Sequence, residues 1–317
     1  MERRKVQVTG GSTFTVSIPK EWARENDVAA GDEVEFHPEE NTLLLTPRTT
    51  EDTRRGTLDV SALEGEHLRR SVVTLYVSGF DELELEADRI TSDQRRVVRE
   101  ATQGLVGLEV LEETGTRVVI QDLLDSSELS IHNAVQRMRL IALSMLEDAT
   151  TALVENDDDL ARDVIERDDD VDRLWFVVSR IFRGTLRSPQ AAQQVGVSRS
   201  TCCDYHSSAR QLERVADHAT KIAGLSLELD EVPAPVAEAL TDLRADAHDI
   251  IDTAMEALFS DDAGEATDLA NETRASIPEI DEHTRALDDL LREQEPAAAQ
   301  QLGLVVDSLS RSADYGG

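Results

Sequence analysis

The sequence predicts a multidomain, mainly α-helical protein: a strand-rich N-terminal unit, a small α+β unit, then two tandem three-helix bundles. Three observations carry this. The first 48 residues alternate apolar and polar side chains in short runs broken by glycines, the period of strands. Residues 57–124 mix strand and helix periods. From residue 127 onward, apolar residues recur at spacings of three and four, the stripe of an amphipathic helix.

Composition bounds the rest. The chain has 317 residues, 65 acidic and 32 basic side chains and a formal charge of −33. Only three of the basic residues are lysine: Lys5, Lys20 and Lys221. Phosphate affinity needs clustered cations, so a broad cationic nucleic-acid binder is excluded. High acid with little lysine suits a cytoplasm at very high salt. No stretch approaches the roughly 18 apolar residues that span a bilayer. The start lacks a signal-peptide core. Cys202 and Cys203 are adjacent and make no disulfide framework, which points to a reducing, cytoplasmic compartment.

In the N-terminal unit, Lys5 to Thr9 and Thr13 to Ile18 alternate on either side of Gly10-Gly11. Pro19 ends the second run, a brief helix holds Trp22 and Ala23, and strands follow at Val34-Glu35-Phe36 and Thr42 to Thr46. Four short strands make a thin core, so a homodimer through this unit is expected. Thr49 to Thr57 reads as a linker.

The middle unit, 57–124, offers a short strand at Leu58-Asp59-Val60, a helix over Leu68 to Val77 and the strictly alternating strand Glu82 to Glu86. A helix capped by Ser92 and Asp93 then runs to about Leu105, and Leu108 to Leu111 pairs with Arg117 to Ile120 as a hairpin. It holds no catalytic motif and reads as a spacer.

Six helices follow. The first carries Ile131, Val135, Met138, Ala142, Met145, Ala149 and Leu153 on one stripe. The second carries Leu160 to Ile181 and the third Ser208 to Ile222; three more follow Pro233 and Pro235, the fifth containing Pro278. The third and sixth both contain Leu-x-Arg-x-Ala-Asp, ending at Asp217 and Asp314, so the bundles are an internal repeat over 127–228 and 233–317.

Glu213 and Asp217 stand four residues apart and share a helix face, as do Asp168 and Asp172 on the preceding helix. If the two helices pack antiparallel, four carboxylates converge, an oxygen-rich set suited to hard cations. Spacing alone also leaves two plainer readings: Asp168-Asp169-Asp170 as a solvated face, and Glu213 paired with an arginine.

Two resemblances add to this. Gly11-Ser12-Thr13-Phe14-Thr15-Val16-Ser17-Ile18-Pro19-Lys20-Glu21-Trp22, with Gly31-Asp32-Glu33-Val34-Glu35-Phe36, resembles a SpoVT/AbrB-type domain over residues 1–48. The resemblance implies an intertwined dimer of swapped hairpins and DNA contacts through Arg3, Arg4 and Lys5, with Lys20 and Arg24 nearby. The same 48 residues hold six basic and nine acidic side chains, which weakens such contacts.

Residues 127–317 resemble the PhoU family, on Val164-Ile165-Glu166-Arg167-Asp168-Asp169-Asp170-Val171-Asp172-Arg173-Leu174 and on Leu212-Glu213-Arg214-Val215-Ala216-Asp217-His218-Ala219. This implies regulation of phosphate uptake and phosphate homeostasis, with a phosphate transporter or signalling protein as partner. Asp168, Asp172, Glu213 and Asp217 become candidate ligands for a divalent or iron-type ion (Mg, Mn, Fe or Zn), and no organic cofactor is expected. His218 is a weaker candidate. In the second repeat Ser310 stands where Glu213 stands, leaving Asp314, with Glu279 and His283 or Asp281 and Arg285 expected to face it. The competing reading is a general AbrB-type DNA-binding transcriptional regulator with a helical effector domain. A di-iron bundle enzyme needs Glu-x-x-His motifs on its bundle helices, and residues 127–317 contain none.

Overall fold

The computed structural model describes residues 3–39, 41–48, 53–123 and 130–316. Ser127, where the helical pattern begins, and residues 49–52 of the linker expected over 49–57 lie outside the described residues, while the expected linker's last three residues form the start of a strand. The chain divides into two compact units, residues 1–53 and 54–317.

The first unit is two antiparallel hairpins. β1 (Gln7–Thr9) pairs with β2 (Thr13–Thr15), and Gly10 and Gly11 turn between them at φ 66° and 84°, a region open to glycine. α1 (Lys20–Glu25) starts after Pro19. β3 (Val34–Glu39) pairs with β4 (Thr42–Pro47). Among the unit's described residues His37 alone is buried, its Nε2 2.9 Å from the Thr46 hydroxyl. The apolar side chains lie outside: Val8, Phe14, Val16, Phe36 and Leu43 are exposed, Phe14 by 74%.

The second unit begins with an α+β layer: β5 (Arg55–Asp59), α2 (Gly65–Val77), β6 (Glu82–Glu86), α3 (Ser92–Gln103), β7 (Leu108–Glu113) and β8 (Arg117–Asp122). The sheet order is β5-β6-β8-β7, parallel between β5 and β6 and antiparallel elsewhere. Leu83, Leu85, Val118 and Ile120 form one core with Leu68, Val72 and Tyr76 of α2 and Val98 of α3. The cap of α3 is Thr91 rather than Ser92 or Asp93. Its hydroxyl accepts from the Gln94 N–H while the Gln94 side chain accepts from the Thr91 N–H, a reciprocal box that Asp93 cannot form.

Seven helices follow: α4 (Ile131–Glu155), α5 (Asp158–Arg187), α6 (Pro189–Val195), α7 (Arg199–Ser226), α8 (Ala234–Phe259), α9 (Ala263–Leu291) and α10 (Pro296–Asp314). The short α6 was not anticipated; Ser188 caps it and Gly196, at φ 76°, ends it. Asn156, left-handed at φ 57°, closes α4, and Asp157 caps α5, so two residues reverse the chain. α4 packs on α5 and α7, and α8 on α9 and α10. The two bundles share one core through α4 against α8 and α7 against α10.

The α+β layer is fastened to α5, the helix that bears Asp168 and Asp172. Arg180 donates to the carbonyls of Tyr76 (2.7 Å) and Phe80 (3.0 Å) and to the carboxylates of Asp81 (3.2 Å) and Asp122 (2.6 Å). Its guanidinium also lies 4.9 Å from the Tyr76 ring centre. Arg173 reaches the Gln103 carbonyl, Arg187 reaches Ser78, and Phe176 packs against the layer's core.

Candidate carboxylate metal centre

α5 buries Val164, Val171 and Val178, seven residues apart, against the bundle. That register leaves Asp168 and Asp172 half-buried at the edge of the stripe. α7 buries Leu212, Val215, Ala216 and Ala219, which places Glu213 and Asp217 beside its own stripe. α5 and α7 pack on each other, and the acidic pairs they carry lie close enough for their charges to interact.

The meeting shows in the charges. Burial first, then the charges of Asp168 and Asp217, raise the Asp172 carboxyl to about 6, against a partial pull from Arg69 of α2. Burial first, then Asp217, raise Glu213 to about 7, with Arg210 opposing and Asp172 adding. Asp168 rises through burial and the charge of Asp217. Asp217 rises through burial, against Arg210 and Arg214. Asp217 is exposed, where water screens it, so Asp172 and Glu213 carry the electrostatic argument.

The Arg210 pairing with Glu213, open at the level of sequence, is present: Nη1 lies 2.6 Å from Oε1. The other oxygen, Oε2, is buried and has no partner. An orphaned carboxylate oxygen among four mutually repelling acids is a donor set that fits a hard cation. Among the described residues, however, no three His, Cys, Asp or Glu side chains stand together in a cage ready for a metal.

His218 is turned elsewhere. Its Nε2 is 3.4 Å from the Tyr315 hydroxyl of α10, its Nδ1 is buried without a partner, and burial lowers its pKa. The second repeat assembles differently from expectation. Ser310 is half-buried and Asp314 exposed, but Glu279 and His283 face α8 rather than α10. His283 pairs with Asp246, and Glu279 lines a small cleft between α8 and α9 with Asp246, Asp249 and Glu272. The register of α9, with Ile280 and Leu287 buried, commits that side to its nearest neighbour.

The five candidate DNA-contacting residues of the N-terminal unit, Arg3, Arg4, Lys5, Lys20 and Arg24, are all exposed. An arginine partner for Glu213 was legible in the sequence, since Arg210 stands three residues before it; the influence of Arg69 was not, because it comes from another layer.

Residues 135–225 match the family model described as PhoU domain, and residues 7–53 match that described as Antidote-toxin recognition MazE, bacterial antitoxin. The former spans both acidic pairs. The crystal structure of PhoU from Pseudomonas aeruginosa superposes with a TM-score of 0.51 at 21% identity, over 59% of this chain and 90% of that one. That of the phosphate transport system regulatory protein PhoU from Streptococcus pneumoniae gives 0.43 at 17%, over 59% and 87%. No curated protein matches the chain.

Proposed function

From a chain that carries a PhoU domain in its first helical bundle and an AbrB-like, MazE-type module before it, we propose a cytoplasmic regulator of phosphate uptake and phosphate homeostasis, not an enzyme. The observation that carries this reading is the PhoU domain match over 135–225, which contains Asp168, Asp172, Glu213 and Asp217. Among the described residues no helix is long and apolar enough to cross a membrane, which fits action on a transporter or signalling partner from outside the bilayer.

In this reading the N-terminal unit dimerises. Seven exposed apolar residues, on a unit with a single buried side chain among its described residues, need a cover, and a second copy supplies one. The unit then doubles Arg3, Arg4 and Lys5 for DNA contact. Asp168, Asp172, Glu213 and Asp217 would hold a divalent or iron-type cation, which would supply the positive charge these acids lack. The chain's own part is to present the two acidic pairs from the packed helices α5 and α7, with Asp172 and Glu213 partly desolvated and Arg210 holding one oxygen of Glu213.

Deleting the gene and measuring phosphate-transport transcripts at low and high phosphate tests the reading; unchanged transcripts in both conditions overturn it. The second reading, a general AbrB-type DNA-binding regulator, is favoured by the match over 7–53. It is distinguished by promoter binding unrelated to phosphate genes that is lost in an Arg3→Ala, Arg4→Ala, Lys5→Ala variant.

A further inference from the structure

α5 changes character along its length. Up to Asp172 it carries eight acids, and beyond Asp172 none. The change continues through α6 into α7. From Arg173 to Cys203 no aspartate or glutamate occurs and five arginines do, in a chain where 65 of 317 residues are acidic. Burial is not the cause, since Arg183, Leu186, Arg187, Gln194, Ser200 and Cys203 are all exposed. An exposed surface kept free of acids in so acidic a chain suits an anionic partner, which every acid would repel. Arg183 has no ion pair among the described residues. Burial, then the charges of Arg183 and Arg210, lower the pKa of His206, so Arg183 lies within electrostatic reach of α7.

The backbone of the same stretch has a definite shape. Ser188 caps α6, its hydroxyl accepting from the Ala191 N–H at 3.3 Å. Gly196, left-handed at φ 76°, ends α6. Val197 follows, and Ser198 caps α7, its hydroxyl accepting from the Thr201 N–H at 3.0 Å. Val195 and Val197 pack against the bundle core, which fixes the turn, and α6 rests on α5. A three-helix bundle needs no such insert between its second and third helices. Two helices joined by a short glycine-containing turn are the form in which a helix-turn-helix presents its second helix to the major groove, with the N-terminal residues of that helix at the base edges.

The start of α7 has the side chains for that place. Ser200, Cys203 and Ser207 are exposed at spacings of three and four, one stripe of the helix. All three are small, and serine hydrogen-bonds to any base edge. Asp204, the first acid after Asp172, stands beside them, and a carboxylate accepts from the N4 amine of cytosine.

We propose that α6, the turn Gly196-Val197-Ser198 and the first turns of α7 dock in the major groove of duplex DNA, with Ser200, Cys203 and Ser207 at base edges and Arg183 and Arg187 at phosphates. This surface belongs to the helical unit and is separate from Arg3, Arg4 and Lys5. It holds whether or not the genes it finds are phosphate genes.

The test uses the full chain carrying Arg3→Ala, Arg4→Ala and Lys5→Ala, which removes the N-terminal contacts, and a fluorescein-labelled library of duplexes with a randomised core. Repeated selection enriches a shared sequence, and that duplex binds saturably by anisotropy. Adding Arg183→Gln and Arg187→Gln lowers the slope of log affinity against log potassium chloride by about two, one phosphate for each arginine. Adding Ser200→Ala and Ser207→Ala instead leaves the slope unchanged and weakens the enriched duplex about tenfold against a scrambled one. Circular dichroism melts confirm that each variant folds. Failure of the starting variant to enrich any sequence overturns the proposal, because all DNA contact then lies in the N-terminal unit. An unchanged salt slope in the folded arginine variant overturns it too. So does an absence of enrichment accompanied by a change of oligomeric state in the arginine variant by light scattering, which makes the acid-free face a contact between copies.

Discussion

Arg180 and Asp122 form an ion pair at 2.6 Å across the seam between the helical bundle and the α+β layer, and both side chains are nearly buried, at 13% and 11% exposure. The same guanidinium also serves Asp81 and two carbonyls, so four acceptors from one layer depend on one side chain of α5. Removing one partner of a buried pair leaves the other charge desolvated and alone.

Arg180→Ala is therefore expected to destabilise the second unit by about 3 kcal/mol. Amide exchange should rise around Tyr76 to Asp81 and at Asp122, while α8 to α10 stay protected. Arg180→Lys should recover only part of the loss, because an ammonium cannot reach four acceptors in fork geometry. Uniform exchange across both layers would contradict the clamp.

The quartet sets a pH dependence. Glu213 titrates near 7 in the folded chain against 4.5 as its ordinary value, and Asp172 near 6 against 3.8. The folded state thus holds protons that the unfolded state has lost, and stability falls as pH rises from about 4 to about 7. Glu213→Gln, which keeps the shape and removes the charge, should raise stability at pH 8 by about 2 kcal/mol and flatten the slope in denaturant titrations. An unchanged slope would remove the electrostatic argument.

A cation in the quartet should reverse that cost. Manganese or magnesium added to metal-free chain at pH 8 is expected to raise the melting temperature, with a gain that grows with the logarithm of concentration. The paired variant Asp172→Asn, Glu213→Gln should lose the gain, and Asp314→Asn should keep it, since Asp314 lies outside the quartet. Calorimetry of the same titrations reads affinity directly.

The N-terminal unit should separate association from folding. Phe14→Ser, at a site 74% exposed, is expected to shift the chain from dimer to monomer by light scattering while the melting of the helical unit is unchanged. A dimer that survives would move the interface elsewhere.

Much of this molecule was written in periodicity. The stripe from Ile131 to Leu153, the strict alternation at Glu82 to Glu86 and the Gly10-Gly11 turn each lie in structure where local pattern placed them, because side-chain burial at periods of 3.6 and 2 is a property of a single element. The two acidic pairs were legible for the same reason: a spacing of four residues on one helix needs no tertiary information. Even Arg210, three residues before Glu213, could be read from the chain.

What faces what could not. His218 was adjacent in sequence to Asp217, yet one residue rotates a helical side chain by about 100°, and the packing of α10 turned it to Tyr315. Glu279 and His283 kept their helix but met α8, because the register of α9 had already given its other face to the core. The role of Arg180 and Arg69 was likewise decided only when the α+β layer met α5, since burial against a distant segment leaves no trace in the local pattern of either. The sequence alone determined the elements and which carboxylates share a helix; tertiary packing decided which of them meet and which cations answer their charge.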